Sequence, residues 1–343
     1  MGRVVLVTGV SQDLGGRFAR SLTADPEVDR VIGVDVVPPR ARLDDVLFVR
    51  ADIRNPVIAK VIVGEGVDTV VHMSLLAAPG RAGGRASMKE TNVIGSMQLL
   101  AACQKAPKLR KLVMKSSTAV YGASSRDPAA FTEDMAPKRM PREGFAKDSV
   151  EVEGYVRGFS RRRPDVTVTM LRYANLIGPT IDTALSRYFT LPVVPTVLGY
   201  DARMQFCHEW DALDSLRLAV SEDIHGSFNV AGDGMMTLSQ AMRRIGRPTV
   251  SIPSFAVSRV SSLVRSMRLA DFSPEQIEFL TYGRGVDTTR MRGVLGFHPR
   301  FDTPSAFADF ARSVRPGLVD PVRVESAERK VKGLLIGEGR HHG

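Results

Sequence analysis

Cysteine is nearly absent from this 343-residue chain, with Cys103 and Cys207 the only two. That excludes a disulfide framework and a cysteine-rich metal centre, and it suits a reducing compartment. No metal site is expected. No apolar run approaches the eighteen or so residues that span a bilayer. The chain enters a strand by residue 4, so we expect a cytoplasmic protein without a signal peptide. A basic stripe is also lacking. Net charge is +10, which can favour anionic partners, but the arginines are scattered. Nucleic acid is therefore not an expected partner, and most of the charge reads as solvated surface.

What is present is ordinary in bulk and specific in detail. Hydrophobic residues make up 43% and charged residues 24%, values typical of a globular protein. The length suits one large α/β domain with an elaboration, or two domains. The stretch Arg3–Arg20 is the most informative. Val4-Val5-Leu6-Val7 is too short for a helix and fits a strand buried on both faces. Gly9 and Gly15 flank a turn, and Gly15-Gly16 lead into an apolar helix start at Phe18. Strand, glycine turn and helix together suit a dinucleotide fold, where a helix N-terminus receives a pyrophosphate. Gln12 takes the place of the middle glycine. Asp13 follows it, and a helix-capping role for that carboxylate is compatible with phosphate on the remaining amides.

Downstream, Val31–Asp35, Val46–Val49, Val67–Met73, Lys111–Ser117 and Val166–Leu171 read as further strands. Met88–Gln104 has helical spacing. The alternation through residue 178 implies a Rossmann-type, doubly wound parallel sheet. Asp35 lies about twenty residues beyond the glycine loop, where a carboxylate accepts from ribose hydroxyls and repels a 2′-phosphate. His72, alone at a strand end, reads as structural.

TGVSQDLGG (8–16), Asp35, ADIR (51–54), VVHM (70–73), NVIG (92–95), SSTAVYG (116–122), LRYANLIGP (171–179), QFCHEWD (205–211), GSFNVAG (226–232) and VDTTRMRGVLGFHP (286–299) follow one another in a recognisable order. On these pieces the chain resembles the extended short-chain dehydrogenases/reductases of the NAD-dependent epimerase/dehydratase family, in the branch like UDP-glucose 4-epimerase. The resemblance implies NAD as cofactor, with Gly9, Gln12, Asp13, Leu14 and Gly15 at the phosphates. Asp52 and Ile53 would flank the adenine, Met73 and Ser74 would line the cofactor near its ribose, and Asn92 would support the central helix. It further implies a Rossmann domain over 1–178, rejoined by 205–234, and a smaller substrate lobe from 179–204 and 235–313. A basic tail occupies 314–343. A homodimer is compatible with it.

Family chemistry uses a Ser/Thr hydroxyl, a tyrosinate and a lysine four residues later. Ser117 and Lys147 match the first and third, and Lys147 would also bind the cofactor ribose. Glu143 stands where the tyrosine belongs. Three readings stay open: Glu143 is the base despite an ion pair with Lys147, Tyr121 or another group supplies the proton, or the site only binds. The substrate-side candidates are Thr118, Asn175 and Arg203, the last one place from the family's nucleotide-sugar arginine, a position held here by Met204. Arg203 and Arg284 are each either a phosphate ligand or surface charge. The implied substrate is a UDP-sugar or similar. The alternatives are a catalytically silent NAD-dependent regulator and a reductase acting on a lipid-like substrate, the last suggested by the apolar 251–281 segment.

The Asp35 assignment predicts at least tenfold tighter binding of NAD than of NADP, a difference of about 1.4 kcal/mol. Titration with both nucleotides checks it, and equal affinities would remove the role of Asp35.

Overall fold

The computed structural model describes residues 2–77, 83–253 and 273–314. The chain runs β1 (Arg3–Thr8), α1 (Asp13–Leu22), β2 (Val28–Asp35), β3 (Leu47–Arg50), α2 (Val57–Gly64) and β4 (Thr69–His72). There follows one long helix in three parts: α3 (Arg85–Lys89), a π-helical turn (Glu90–Gly95) and α4 (Ser96–Gln104). Then come β5 (Lys111–Ser117), α5 (Gly144–Arg162), β6 (Thr167–Tyr173), β7 (Asn175–Ile177), α6 (Ala184–Phe189) and β8 (Val194–Val197). The remainder is β9 (Arg203–Met204), β10 (Phe206–His208), α7 (Glu209–Ser221), β11 (Gly226–Val230), β12 (Met236–Thr237), α8 (Leu238–Ile245), β13 (Thr249–Ile252), α9 (Pro274–Tyr282), α10 (Thr289–Gly293) and α11 (Thr303–Ser313). Most of the 251–281 segment and nearly all of the basic tail lie outside the described residues.

Seven strands form the central sheet in the order β3-β2-β1-β4-β5-β6-β11, every pair parallel. The direction of winding reverses between β1 and β4, the switch point at which such sheets bind ligands at their carboxyl ends. Alternation along β1 explains the two cores. Val5 and Val7 join Phe18, Leu22, Val113 and Leu216 on the α1/α7 face. Leu6 joins Ile58, Leu99, Leu112, Val156 and Phe159 on the α2/α4/α5 face. Burial on both faces is why these strands read as continuous apolar runs. A third core, with Phe189, Phe206, Phe307 and Met242, gathers α6, β10, α8 and α11. The helices α8 and α9 open on capping boxes, Thr237/Gln240 and Ser273/Gln276.

Helix α1 begins at Asp13, two residues before the Gly15-Gly16 start read from the sequence. The π turn carries Asn92, whose amide exchanges two hydrogen bonds with the Leu76 backbone and donates a third to Asp148 on α5. Arg85 grips the same Asp148 through both carboxylate oxygens at 2.6 Å. This buried clasp fixes the rotation of α5 about its axis.

His72 is a strut. The Ser96 hydroxyl donates to Asn92 O, so it accepts from His72 Nε2–H, and His72 Nδ1 then accepts from Thr8 Oγ1. That chain of donors needs a neutral ring. Burial, reinforced by the nearby Lys115 charge, lowers His72 to about 4. The folded value lies below the unfolded one near 6.5, so this stability is complete above pH 6.5 and is lost as pH falls towards 4. Between pH 7 and pH 5 the loss from His72 amounts to about 2 kcal/mol. Denaturant midpoints at the two pH values should therefore diverge less in His72→Asn than in the parent chain. Equal divergence would refute the neutral-strut assignment.

Candidate active site

The first part of the site is the β1–α1 turn. Gly9 has φ +79°, and a Cβ there would sit 2.8 Å from Ser74 Cα. A Cβ on Gly15 would collide with the Gly9 carbonyl. These two glycines let the helix start press against the strand end. Gln12 holds the N-cap position in extended conformation, and its side chain makes no capping bond. Among the described residues no backbone acceptor takes the amides of Asp13, Leu14 or Gly15, and all three residues line the central cavity. Asp13 does not cap the helix, contrary to the sequence reading. It is the first helical residue, its side chain is half-exposed, and its carboxylate meets Arg17 at 3.3 Å. The free amides and the positive helix end therefore fit a pyrophosphate, and Asp13 does not block them.

Asp35 ends β2 beside this turn. Its carboxylate accepts from Ser11 N (3.0 Å), Ser11 Oγ (2.6 Å) and Val36 N (2.8 Å), which fixes its orientation. Asp52 pairs with Arg54 at 2.6 Å, which holds its carboxyl below the usual range. Buried Ile53 packs against Gly95, and Ser74 meets Thr8 Oγ1 at 3.3 Å.

From the turn a cavity of about 540 Å³ runs between the sheet and the segments 139–146, 181–188 and 274–284. Met73, Lys115, Ser117 and Asn175 line its sheet side, and Arg139, Arg142, Arg187, Glu275 and Arg284 approach from the other. Ser117 Oγ accepts from Ala119 N at 3.1 Å, which leaves its own O–H free to donate into the cavity. Asn175 opens β7. Thr118 is buried, outside the cavity wall, and accepts from Arg284 Nη1 at 3.4 Å. Arg284 also donates from Nε to Gly122 O at 2.7 Å, and burial brings it down to about 10. The sequence left Arg284 between ligand and surface charge; it stands in the wall.

Thr118 is thereby removed from the substrate side, and four further expectations are corrected. Arg203 is exposed on β9 and outside the cavity, because its strand neighbour Met204 takes the inward position. Tyr121 points away from the cavity: its OH donates to Asn229 Oδ1 at 2.8 Å and accepts from Arg172 at 2.7 Å, while its ring stacks on Phe131. Lys147 is half-exposed, lies 3.8 Å from Glu151, and does not line the cavity. The Asp148 clasp turns the next side chain of α5 inward and leaves Lys147 on the outer strip. Glu143 is exposed at the cavity rim as the N-cap of α5, and the pair expected between it and Lys147 is absent.

Glu275, which the sequence did not single out, reaches from α9 across Gly144 to the start of α5. It accepts from Phe145 N at 3.0 Å and Ala146 N at 2.9 Å. Gly144 has φ +78°, and a Cβ there would collide with that carboxylate. Burial raises the Glu275 carboxyl above its ordinary range despite both bonds. Among the described residues no group of His, Cys, Asp or Glu could hold a metal ion, and no helix is long and apolar enough to cross a membrane.

The placement of Tyr121 generates a prediction. Tyr121→Phe should cost about 1–2 kcal/mol of stability, the range for a buried hydrogen bond, and leave NAD affinity unchanged. Calorimetry and a nucleotide titration check both halves; weakened NAD binding would return Tyr121 to the site.

The sequence matches the NAD dependent epimerase/dehydratase family over residues 5–231. It is 49% identical over 338 residues to an uncharacterized protein of Mycobacterium tuberculosis, covering 97% of this chain and 90% of that one. Among solved structures it resembles UDP-glucose 4-epimerase of Thermotoga maritima with UDP-glucose, at TM-score 0.69 and 18% identity, over 90% of this chain and 98% of the other. It also resembles the dTDP-glucose 4,6-dehydratase DesIV of Streptomyces venezuelae with NAD and TYD, at TM-score 0.70 and 22% identity, over 90% and 96%. The cradle at the head of α1 and the cavity beyond it thus sit in a fold shared with these proteins, and the chain belongs to the NAD-dependent epimerase/dehydratase family.

Proposed function

We propose that this protein holds NAD across the carboxyl ends of its sheet and acts on a nucleotide-linked sugar by transient hydride transfer. The observation that carries the reading is the shared cavity: the open amides of α1, the free hydroxyl of Ser117, Asn175 and Arg284 all border one space. Gly9, Leu14 and Gly15 would seat the pyrophosphate, with Gln12 and Asp13 beside it. Asp35 would take the adenosine ribose. NAD supplies a hydride acceptor when bound. Ser117 would donate its O–H to the substrate oxygen and orient it. Asn175 and Arg284 would meet the diphosphate, where a guanidinium fork holds phosphate oxygens at two points. Arg284 is already positioned by Gly122 O, so little ordering is needed on binding.

One observation favours a second reading, a silent NAD-dependent binder. No tyrosine hydroxyl opens to the cavity among the described residues. Tyr173 OH is taken by Ala212 O and Ser215 Oγ, and Tyr188 OH by Pro195 O.

Incubation of the purified chain with NAD and UDP-glucose, UDP-galactose or dTDP-glucose, followed by chromatography of the sugars, separates the readings. Conversion of any one supports the enzyme; NAD bound with all sugars unchanged supports the binder. Arg284→Met should weaken UDP-sugar binding at least tenfold, about 1.4 kcal/mol, with NAD affinity retained. Unchanged sugar affinity would exclude Arg284 from the diphosphate site.

A further inference from the structure

Strand β5 presents two polar side chains to the cavity. Ser117 is one; Lys115, two residues earlier and on the same side of the pleat, is the other. Their Cα atoms are about 6.6 Å apart along the strand, a distance the lysine stem covers. Among the described residues the Lys115 side-chain nitrogen has no hydrogen-bond or ion-pair partner. The ionisable groups on the elements around it supply no counter-charge. His72 on β4 is neutral. Tyr173 on β6 has its hydroxyl committed to α7, and burial raises it well above its ordinary value. Asp13 at the head of α1 faces Arg17. Burial without a counter-charge disfavours the ammonium and brings Lys115 down to about 8. A lone charge inside the run Leu112-Val113-Met114-Lys115 was visible in the sequence but its direction was not.

The proton carriers named from the sequence are misplaced for the task, and the Glu275 carboxylate, also on the cavity, is committed to the amides of Phe145 and Ala146. Lys147 faces Glu151, Tyr121 is bound outside the cavity, and Glu143 is exposed at the rim. We infer that Lys115 is the proton acceptor of this site, working beside Ser117 in place of the absent tyrosine. The inference rests on the nucleotide-sugar reading above. The substrate O–H bond breaks and its proton passes to the lone pair of Lys115 Nζ, which becomes an ammonium. The carbon-bound hydrogen leaves as hydride to oxidised NAD, the family's co-reactant, and the C–O bond becomes a carbonyl. On return the hydride comes back to carbon and the ammonium protonates the oxygen. Nothing is consumed. An amine titrating near pH 8 is matched to this duty, because a general base works best close to the operating pH.

Two measurements test it. The first needs no turnover: acylation of the whole chain by acetic anhydride across pH 6–11, read by peptide mass spectrometry. Lys115 should react with a midpoint near pH 8, against about 10.4 for ordinary lysines, and bound NAD should protect it. A midpoint at 10 or above overturns the inference. The second compares Lys115→Met with Lys115→Arg. Both should lower sugar conversion about 100-fold or more, with NAD affinity within threefold of the parent, because a guanidinium keeps the charge but cannot accept the proton. Rescue by arginine would make Lys115 an anion ligand, and parental rates in Lys115→Met would remove it from the site; either result overturns the assignment. If the parent chain converts no nucleotide sugar, the functional reading itself fails, and that outcome is distinct from a parent that turns over without needing Lys115.

Discussion

The close approach of α1 to the end of β1 is the constraint on which the rest depends. Gly9 and Gly15 touch so tightly that no side chain fits at either position. That contact brings three amides, unclaimed among the described residues, to the sheet's carboxyl edge. It places them over the switch point between β1 and β4, and everything that defines the cavity is measured from there. Replacing the middle glycine by Gln12 is tolerated because that residue has an ordinary extended backbone, with φ −79°. Asp13 is tolerated because its charge leaves the amides for Arg17. An incomplete glycine signature thus coexists with an open cradle.

The scaffold was legible because its signals are local. Strands buried on both faces read as short apolar runs, and β1, β2 and β5 lie where those runs are. What the sequence could not convey was direction. Lys147 and Glu143 have the spacing of a catalytic pair, yet spacing on a helix says nothing about which way the helix is turned. Asp148, held by Arg85 and Asn92 from another helix, sets that rotation. Tyr121 sits in a family motif, but its partners Asn229 and Arg172 are roughly fifty to a hundred residues away in sequence. Arg203 and Arg284 looked alike as charges near a motif. One lies on an exposed strand edge and the other donates to Gly122 O within the cavity wall.

The departures from the family pattern share a physical logic. Without the tyrosine the head of α5 carries no hydroxyl there, and the group in its place, Glu143, is exposed. Inside the cavity the polar groups of the floor come from β5, where a rigid strand fixes them more firmly than a helix terminus would. His72, underneath, must stay uncharged for its own hydrogen bonds, so it adds no positive field near Lys115 at neutral pH.

Glu275 has a mechanical consequence. The first turn of α5 is capped by a residue of α9, through bonds to Phe145 and Ala146. Parting α9 from α5 would strip two amides of their acceptor and uncover a buried carboxylate in the same stroke. The catch between the two helices is thus the N-terminus of α5 itself, next to Glu143.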